Sequence, residues 1–402
     1  MLLATRRGYV PVNEAARPES TYRQWSAIAT DSFTGRSVTP ESALAIAAAY
    51  GGVSLIANML SIIPCRIQDK KKKNTFVERG ILHDMLRYQP NRDTTAAQFF
   101  SLIGTHLLLR GNFYAAKFRP KGESYPTELI QFAPDTVFPY RDKDGRKLFR
   151  VRTWNGQSYI DQVYTPEHIW HVCGPSFNDG LTGETPFGVM RNRIGVQLAA
   201  SEYQARFYQN GAAMKGVIEY PGVFAGPQGD DAIRRLRDSF HASNAGLENA
   251  HRTAVLEGGA TFKNISITPQ DQELIETLKW GATEIATALN IPASWLNADS
   301  GKGMRYANVA QDALNLKIAA LQPRTTLIEQ SLNADADLFG VQSPWVPKFD
   351  YSEFLRADEA TRWQTHKTAF EIGAKSPNDI RMEENMSPRE GGDQYNGGNS
   401  NG

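Results

Sequence analysis

The chain has 402 residues, 41% hydrophobic and 10% aromatic, enough for two or three packed units of an ordinary globular protein. Its 44 basic and 43 acidic side chains leave a net charge of +1, which excludes a strongly basic nucleic-acid coat but not a local basic patch. Two cysteines, Cys65 and Cys173, are too few for a disulfide framework and point to a reducing compartment.

Residues 1–38 mix Arg, Pro, Ser, Thr and Gly without periodicity and are expected as a flexible arm. The first 20 are polar and basic, without the apolar core of a signal peptide. From 43 to 63 no side chain is charged, a length that would cross a bilayer. That stretch is alanine-rich, however, and carries Gly51, Gly52, Ser54, Asn58 and Ser61. Thr39, Pro40 and Glu41 ahead of it fit an N-cap and first turn. A buried or interface helix over 39–63, ended by Pro64, is the expectation. A short strand at 65–68 then leads to the lysine run 70–73, a solvated hairpin tip or, alternatively, a phosphate contact.

Helical spacing resumes at 81–86 and 94–109. After Gly111 the period changes to two, and strands are expected at 113–118, 128–132, 147–153, 157–164 and 168–173. Asp144-Gly145 and Asn155-Gly156 separate them as turn signals. With no βαβ alternation the block is antiparallel and the class α+β. Thr185 and Pro186 open a helix that Asn210 and Gly211 close, about 36 Å long, with Phe187, Met190, Ile194 and Leu198 on one stripe. A small β-α-β insert follows. It comprises a strand at 216–220, a helix at 230–243 with Ile233, Leu236 and Phe240 inward, and a hairpin of 252–256 with 261–267 around Gly258 and Gly259.

The next helix, 270–290, sets Leu274, Leu278, Ile285 and Leu289 on one side, so the insert is a head carried on a two-helix stalk. Ile291 and Pro292 stop that helix. A small polar loop, Asn297-Ala-Asp-Ser-Gly-Lys-Gly303, precedes a helix at Asn308, which with Gln311 fits a capping box. That helix is apolar nearly all round, and Pro323 inside it is expected to kink it. Residues 351–386 read as helical, with a second capping box at Ser376 and Asp379 around Pro377. The glycine- and asparagine-rich stretch 389–402 reads as a disordered tail.

Catalytic chemistry does not emerge. The segment 183–188 has the two-glycine spacing of a Walker A loop but continues Val189-Met190 where a lysine and a hydroxyl must reach phosphate and Mg²⁺. His168, His171 and Cys173 invite a zinc reading, yet strand geometry puts His168 on the opposite side, and no second ligand pair lies at the required spacing. There is no Gly-x-Ser-x-Gly elbow. No metal, cofactor or enzyme class is expected.

The order of features resembles the portal proteins of tailed bacteriophages, of the short siphophage type, over roughly 42–392. The matching stretches are 50–64 with its Ile-Ile-Pro end, Pro90-Asn91, Leu-Arg-Gly-Asn-Phe-Tyr at 109–114, 180–186 and Asn210-Gly211. They continue with Val-Leu-Glu-Gly-Gly-Ala-Thr-Phe at 255–262, 286–296 with its Ile-Pro, and Gln322-Pro323. Asn378-Asp379-Ile380-Arg381 stands where Asn-Glu-x-Arg is expected, a change that keeps the charge.

The resemblance implies the portal fold: an arm at 1–38, a mixed α/β wing at 39–185, stem helices at 186–210 and 269–290, and a clip at 211–268. A tunnel loop and long kinked helix returning to the wing fill 291–350, a helical crown fills 351–388, and a tail fills 389–402. It further implies a homo-oligomeric ring, a dodecamer, at one capsid vertex of the virion, assembled in the host cytoplasm and without a membrane. Double-stranded DNA would pass through it without sequence reading. The implied protein partners are the large terminase subunit, the major capsid or scaffold protein and a head-completion adaptor. Asn297, Ser300, Lys302 and Arg305 would face DNA, with Gly301, Gly303 and Pro323 as hinges and kink. Arg234, Arg235 and Arg237, opposite the apolar side of their helix, would meet the partners of the clip. A nucleotide-driven DNA enzyme and a membrane-associated scaffold using 43–63 are the rival readings.

Overall fold

A short capped helix leads into the first long helix of the core. The computed structural model describes residues 32–71, 75–123, 125–154, 156–209, 216–219, 261–264, 270–296, 309–352, 354, 359–384 and 386–396, together with helical positions 231, 234, 235 and 238. Helix α1 (Pro40–Leu44) starts from a reciprocal Thr39–Ser42 capping box with proline in its first turn. Helix α2 (Ala47–Ile62) buries Ala49, Val53, Ile56, Ala57 and Leu60 while Tyr50 and Ile62 stay exposed. The uncharged stretch is thus a half-buried helix, and among the described residues no helix is long and apolar enough to cross a membrane.

Strands β1 (Cys65–Asp69) and β2 (Phe76–Val77) form the expected hairpin around the lysine run, of which residues 72–74 lie outside the described residues. Lys70 there donates to the Val341 carbonyl at 3.1 Å. Helix α3 (Ile81–Arg87) follows. Helix α4 (Ala96–Arg110) then packs its Gly104 onto α2, where a Cβ would lie 2.8 Å from Leu60 and 3.3 Å from the Ala57 backbone. Small residues at the crossing let the backbones approach.

Strand β3 (Asn112–Phe118) joins two cores because both of its faces are buried. It lies between β4 (Glu128–Gln131) and β8 (Ile169–Cys173) in an antiparallel sheet. Phe113 and Ala115 turn to the helices, where Phe99, Phe113 and Trp170 meet with ring centroids 5.4–6.3 Å apart. Tyr114 and Ala116 turn to a second core with Phe149, Val151 and Tyr164, beneath the sheet β5 (Val137–Arg141), β6 (Lys147–Trp154) and β7 (Tyr159–Tyr164). The Asp144-Gly145 turn is placed as expected: Gly145 takes φ +78°, and the Asp142 carboxylate accepts from the backbone of Asp144 and Arg146.

The stalk starts with two abutting helices rather than one: α5 (Pro186–Val189), capped by Thr185, and α6 (Arg191–Gln209), separated at Met190. Strands β9 (Gly216–Glu219) and β10 (Thr261–Asn264) pair antiparallel. The expected strand at 252–256 lies outside the described residues, as do Ile233, Leu236 and Phe240. Helix α7 (Gln270–Leu289) returns, then α8 (Val309–Leu316), a π-helical segment at Lys317–Leu321 and α9 (Gln322–Ala334). Strand β11 (Trp345–Phe349) pairs with β1, Cys65 opposite Phe349, and closes the sheet β11-β1-β2. Helices α10 (Glu359–Glu371) and α11 (Pro377–Glu383) end the chain of elements, the latter with the expected Ser376–Asp379 capping box.

Two expectations of disorder are corrected. Of the arm, residues 32–38 pack: Ser32 is buried against Gly195, the Phe33 amide donates to Asn192 at 3.2 Å, and Val38 has no exposed surface. Of the tail, residues 389–396 fold back because Asn378 claims them. Its side chain accepts from the Arg389 amide at 2.9 Å and donates to Asp393 at 2.8 Å, and its own amide donates to the Gly392 carbonyl at 2.8 Å.

Gly111, Gly174 and Gly183 touch backbone to backbone, with the Gly174 amide donating to the Gly111 carbonyl at 2.8 Å. Gly111 also ends α4 in the left-handed region, φ +72°. Gly111→Ala meets both obstacles, since its Cβ would fall on the Gly183 carbonyl. It is expected to lower the unfolding free energy by roughly 2–4 kcal/mol in urea titrations. Gly122→Ala, at positive φ but in open space, isolates the backbone part and should cost about 1 kcal/mol.

Candidate functional site

The stalk helices meet where side chains are smallest. Gly281 of α7 is buried against the Gln197 amide of α6, leaving no room for a Cβ, and Arg193 lies 3.7 Å from Glu284 beside it. Trp280 and Tyr203 remain exposed on the same pair of helices. At the end of α7 the chain turns through Asn290, the non-glycine residue at positive φ (+58°) among the described residues. The Ile291 amide reaches back to the Ala286 carbonyl at 2.9 Å, and a 3₁₀ turn follows at Ala293–Leu296. Leu289, Ile291 and Leu296 seat on Gly51 and Gly52 of α2, which explains the glycine pair inside an otherwise regular helix.

Residues 297–308 leave from this base and return to α8. Ser294 donates to the Asp312 carboxylate at 3.1 Å, so the departing and returning strands of chain are clasped together. Behind the clasp is Arg324, whose guanidinium donates to the carbonyls of Ala320 and of Leu289, the latter at 3.3 Å. The Leu289 carbonyl is at the end of α7, a group that a helix end leaves without an intrahelical partner, and the Ala320 carbonyl lies within the π segment. Burial holds the Arg324 pKa down at about 10, still well above neutrality, so the cation persists among carbonyls.

Pro323 sits in the first turn of α9, directly after the π-helical segment. A proline inside a helix removes one donor and crowds the preceding turn, and the widened turn accommodates both. Where a kink is expected, five residues, Lys317–Leu321, are π-helical. Lys317 lies over the Tyr351 ring, 4.8 Å from its centroid, and Tyr351 hydrogen-bonds Thr325 at 2.8 Å. Burial pushes the Tyr351 phenol up to about 12.

The far end of α9 is tied to the sheets by charges. Lys117 of β3, 4% exposed, donates to both oxygens of Asp335 at 2.8 Å and to Asp337 at 2.9 Å. Buried Glu329 accepts from Lys348 at 2.7 Å and from the Phe349 amide at 2.8 Å. The long helical run therefore hangs between a carbonyl-bound arginine, the buried Lys117 cluster and the half-buried Glu329–Lys348 pair.

Of the sequence-predicted site residues, Asn297, Ser300, Gly301, Lys302, Gly303, Arg305 and Arg237 lie outside the described residues. Arg234 and Arg235 are helical and exposed, Arg235 donating to its own turn at the Asp231 carbonyl, 3.3 Å. The zinc reading is set aside by the surroundings of its residues. Lys147 sits 2.7 Å from Nδ1 of His171, whose Nε2 meets Asn112 at 3.0 Å. Burial pushes the His171 pKa well below its ordinary value. Among the described residues no group of three His, Cys, Asp or Glu side chains could hold a metal. Ser294, Asp312 and Arg324 were not signalled by the sequence; a polar residue three positions before the loop and an arginine after Pro323 were the available cues.

A family model described as phage portal protein matches residues 47–385. The chain belongs to the phage portal protein family. It is 25% identical over 368 residues to the probable portal protein of Streptomyces phage phiC31, covering 88% of this chain and 78% of that one. To the portal protein of Enterobacteria phage HK97 it is 26% identical over 375 residues, covering 89% and 82%. The fold matches a chain in the neck of a native gene transfer agent particle computed with C12 symmetry, with TM-score 0.59 and 22% identity, over 90% of this chain and 98% of that one.

Within this portal-family chain, Arg324→Met removes the donor to the Leu289 and Ala320 carbonyls. The loss is expected to be roughly 2–3 kcal/mol in chemical denaturation. Arg206→Ala, which breaks an exposed pair with Glu202, should change stability by no more than about 0.5 kcal/mol.

Proposed function

We propose that this chain is one subunit of a ring, a dodecamer, that forms the DNA conduit at one vertex of a phage capsid. The observation that carries the reading is the loop base. Ser294, ahead of the polar, glycine-containing sequence 297–308, bonds Asp312 behind it, and Arg324 holds the Leu289 carbonyl, so both flanks of that sequence are fixed where this reading puts the channel contacts. Membership of the portal family supplies the context.

In this reading residues 39–185 with part of 291–350 act as wing, α6 and α7 as stem, 211–268 as clip and 351–388 as crown. Lys302 and Arg305 contact phosphates on passing DNA without reading bases. Arg234, Arg235 and Arg237 face the large terminase subunit during packaging and a head-completion adaptor afterwards, while the wing meets capsid or scaffold protein. The chain works as a structural conduit, with the energy of translocation coming from the motor it docks.

Native mass spectrometry at micromolar concentration should show a closed ring of many copies; monomer and dimer alone would reject the assembly. Lys302→Ala with Arg305→Ala should leave the ring intact and stability within about 0.5 kcal/mol, as exposed loop charges do. It should alter packaging rate or retention of packaged DNA in a capsid assay. Unchanged packaging and retention would place the loop away from the DNA path.

A further inference from the structure

Helices α10 and α11, with residues 386–389 along their side, enclose an open groove of about 340 Å³. Its floor is apolar, made by Trp363, Phe370, Ile380 and Met386. Trp363 is 40% exposed and Met386 41%, although both are large apolar side chains. The rim is cationic, with Lys367, Arg381 and Arg389, and among the described residues no acidic side chain lines the groove. The neighbouring carboxylates are turned elsewhere. Glu384 pairs with Arg362 at 2.6 Å and His366 at 2.8 Å, and Glu383 pairs with Lys375 at 2.6 Å. Lys367 lies 3.8 Å from Glu371 in an exposed pair along its own helix.

The groove is also preformed. Arg381 Nε donates to the Ser387 carbonyl at 2.6 Å, the Met386 amide to the Arg381 carbonyl at 2.7 Å, and Asn378 fixes Arg389 from both sides. A partner therefore does not have to order this wall on arrival, which lowers the cost of binding. An apolar floor with a one-sign rim selects its occupant by chemistry. Duplex DNA would satisfy the cations but has no apolar surface to cover Trp363 and Met386. A helix with Leu or Phe on one face and Asp or Glu flanking it satisfies both.

We propose that the groove between α10 and α11 docks an acidic amphipathic helix of a partner protein, its apolar residues on Trp363, Phe370, Ile380 and Met386 and its carboxylates on Lys367, Arg381 and Arg389. This docking is independent of DNA conduction, so it stands or falls apart from the reading above. The test uses the assembled full-length protein and fluorescein-labelled 18-residue peptides. One carries Leu and Phe opposite Glu, the second replaces Glu by Lys, and the third replaces Leu and Phe by Ser. Anisotropy should show the first binding at least about tenfold more tightly than either counterpart, a difference of about 1.4 kcal/mol. Lys367→Glu with Arg389→Glu, which spares the Arg381 bond to Ser387, should weaken it about tenfold while oligomeric state and melting temperature stay unchanged. Trp363→Ala should weaken it independently of added salt. Equal binding of all three peptides, or undiminished binding to the charge-reversed variant, would overturn the proposal. So would displacement of the acidic peptide by a short DNA duplex at equal concentration, which would assign the groove to nucleic acid.

Discussion

A buried cation held by carbonyl oxygens is the constraint on which the centre of this molecule depends. Arg324 sits between the end of the π segment and the end of α7, and donates to both. The C-terminal end of α7 carries partial negative charge, which a cation placed against its last carbonyl offsets. The arginine attaches that end to the helical run that carries it, and its delocalised charge tolerates the burial better than a lysine ammonium would. Because α7 ends and α9 begins at this point, the positions of the stalk, the loop base and the long helical run are set together.

The π segment belongs to the same solution. A proline in the first turn of α9 cannot accept a regular α-helical turn before it, and Ala320 and Leu321 of the widened turn are fully buried. The turn is therefore packed rather than frayed. Arg324 donates to the Ala320 carbonyl of that turn. At the other end of α9, Lys117 between Asp335 and Asp337 is expensive to bury and more expensive to break, since either loss leaves charge in the core. Burial raises the Asp335 pKa against the pull of Lys117, which shows desolvation as the larger effect at that carboxylate. The helical run is thus pinned at both ends by groups that work as pairs.

Local chemistry was legible in the sequence, and long-range partnership was not. Thr39 with Pro40, Thr185 with Pro186, and Ser376 with Asp379 announce helix starts because capping is decided within three residues. The α+β class followed from the change of period after Gly111. Strands β5 and β11 escaped because each contains a proline, Pro139 and Pro347, which argues against a strand unless it lies at a sheet edge, where both are found. Residues 389–396 have the composition of a disordered tail, and their order comes from Asn378, a residue more than ten positions away. The same limit applied to the loop base. Glycines and a proline signalled a hinge between helices, whereas Ser294–Asp312 and Arg324–Leu289 are meetings of unrelated positions that leave no periodic trace.

Charge neutrality gains a physical meaning when the chain is considered as one member of a ring around DNA. Every phosphate neutralised adds about 0.9 to the slope of log affinity against log salt and deepens the well in which DNA would rest. A ring multiplies each subunit's contribution, so a strongly basic chain would make a trap rather than a passage. A chain of net charge +1 avoids that. Its described cations are largely spent internally: Lys117 on Asp335, Arg110 on Glu41 and Asp135, Lys348 on Glu329, and Arg324 on carbonyls. With these committed to structure, the contacts proposed for DNA are left to a few side chains on a glycine-flanked loop. Weak contacts are what smooth translocation needs, since a contact that is easily released does not hold DNA in place.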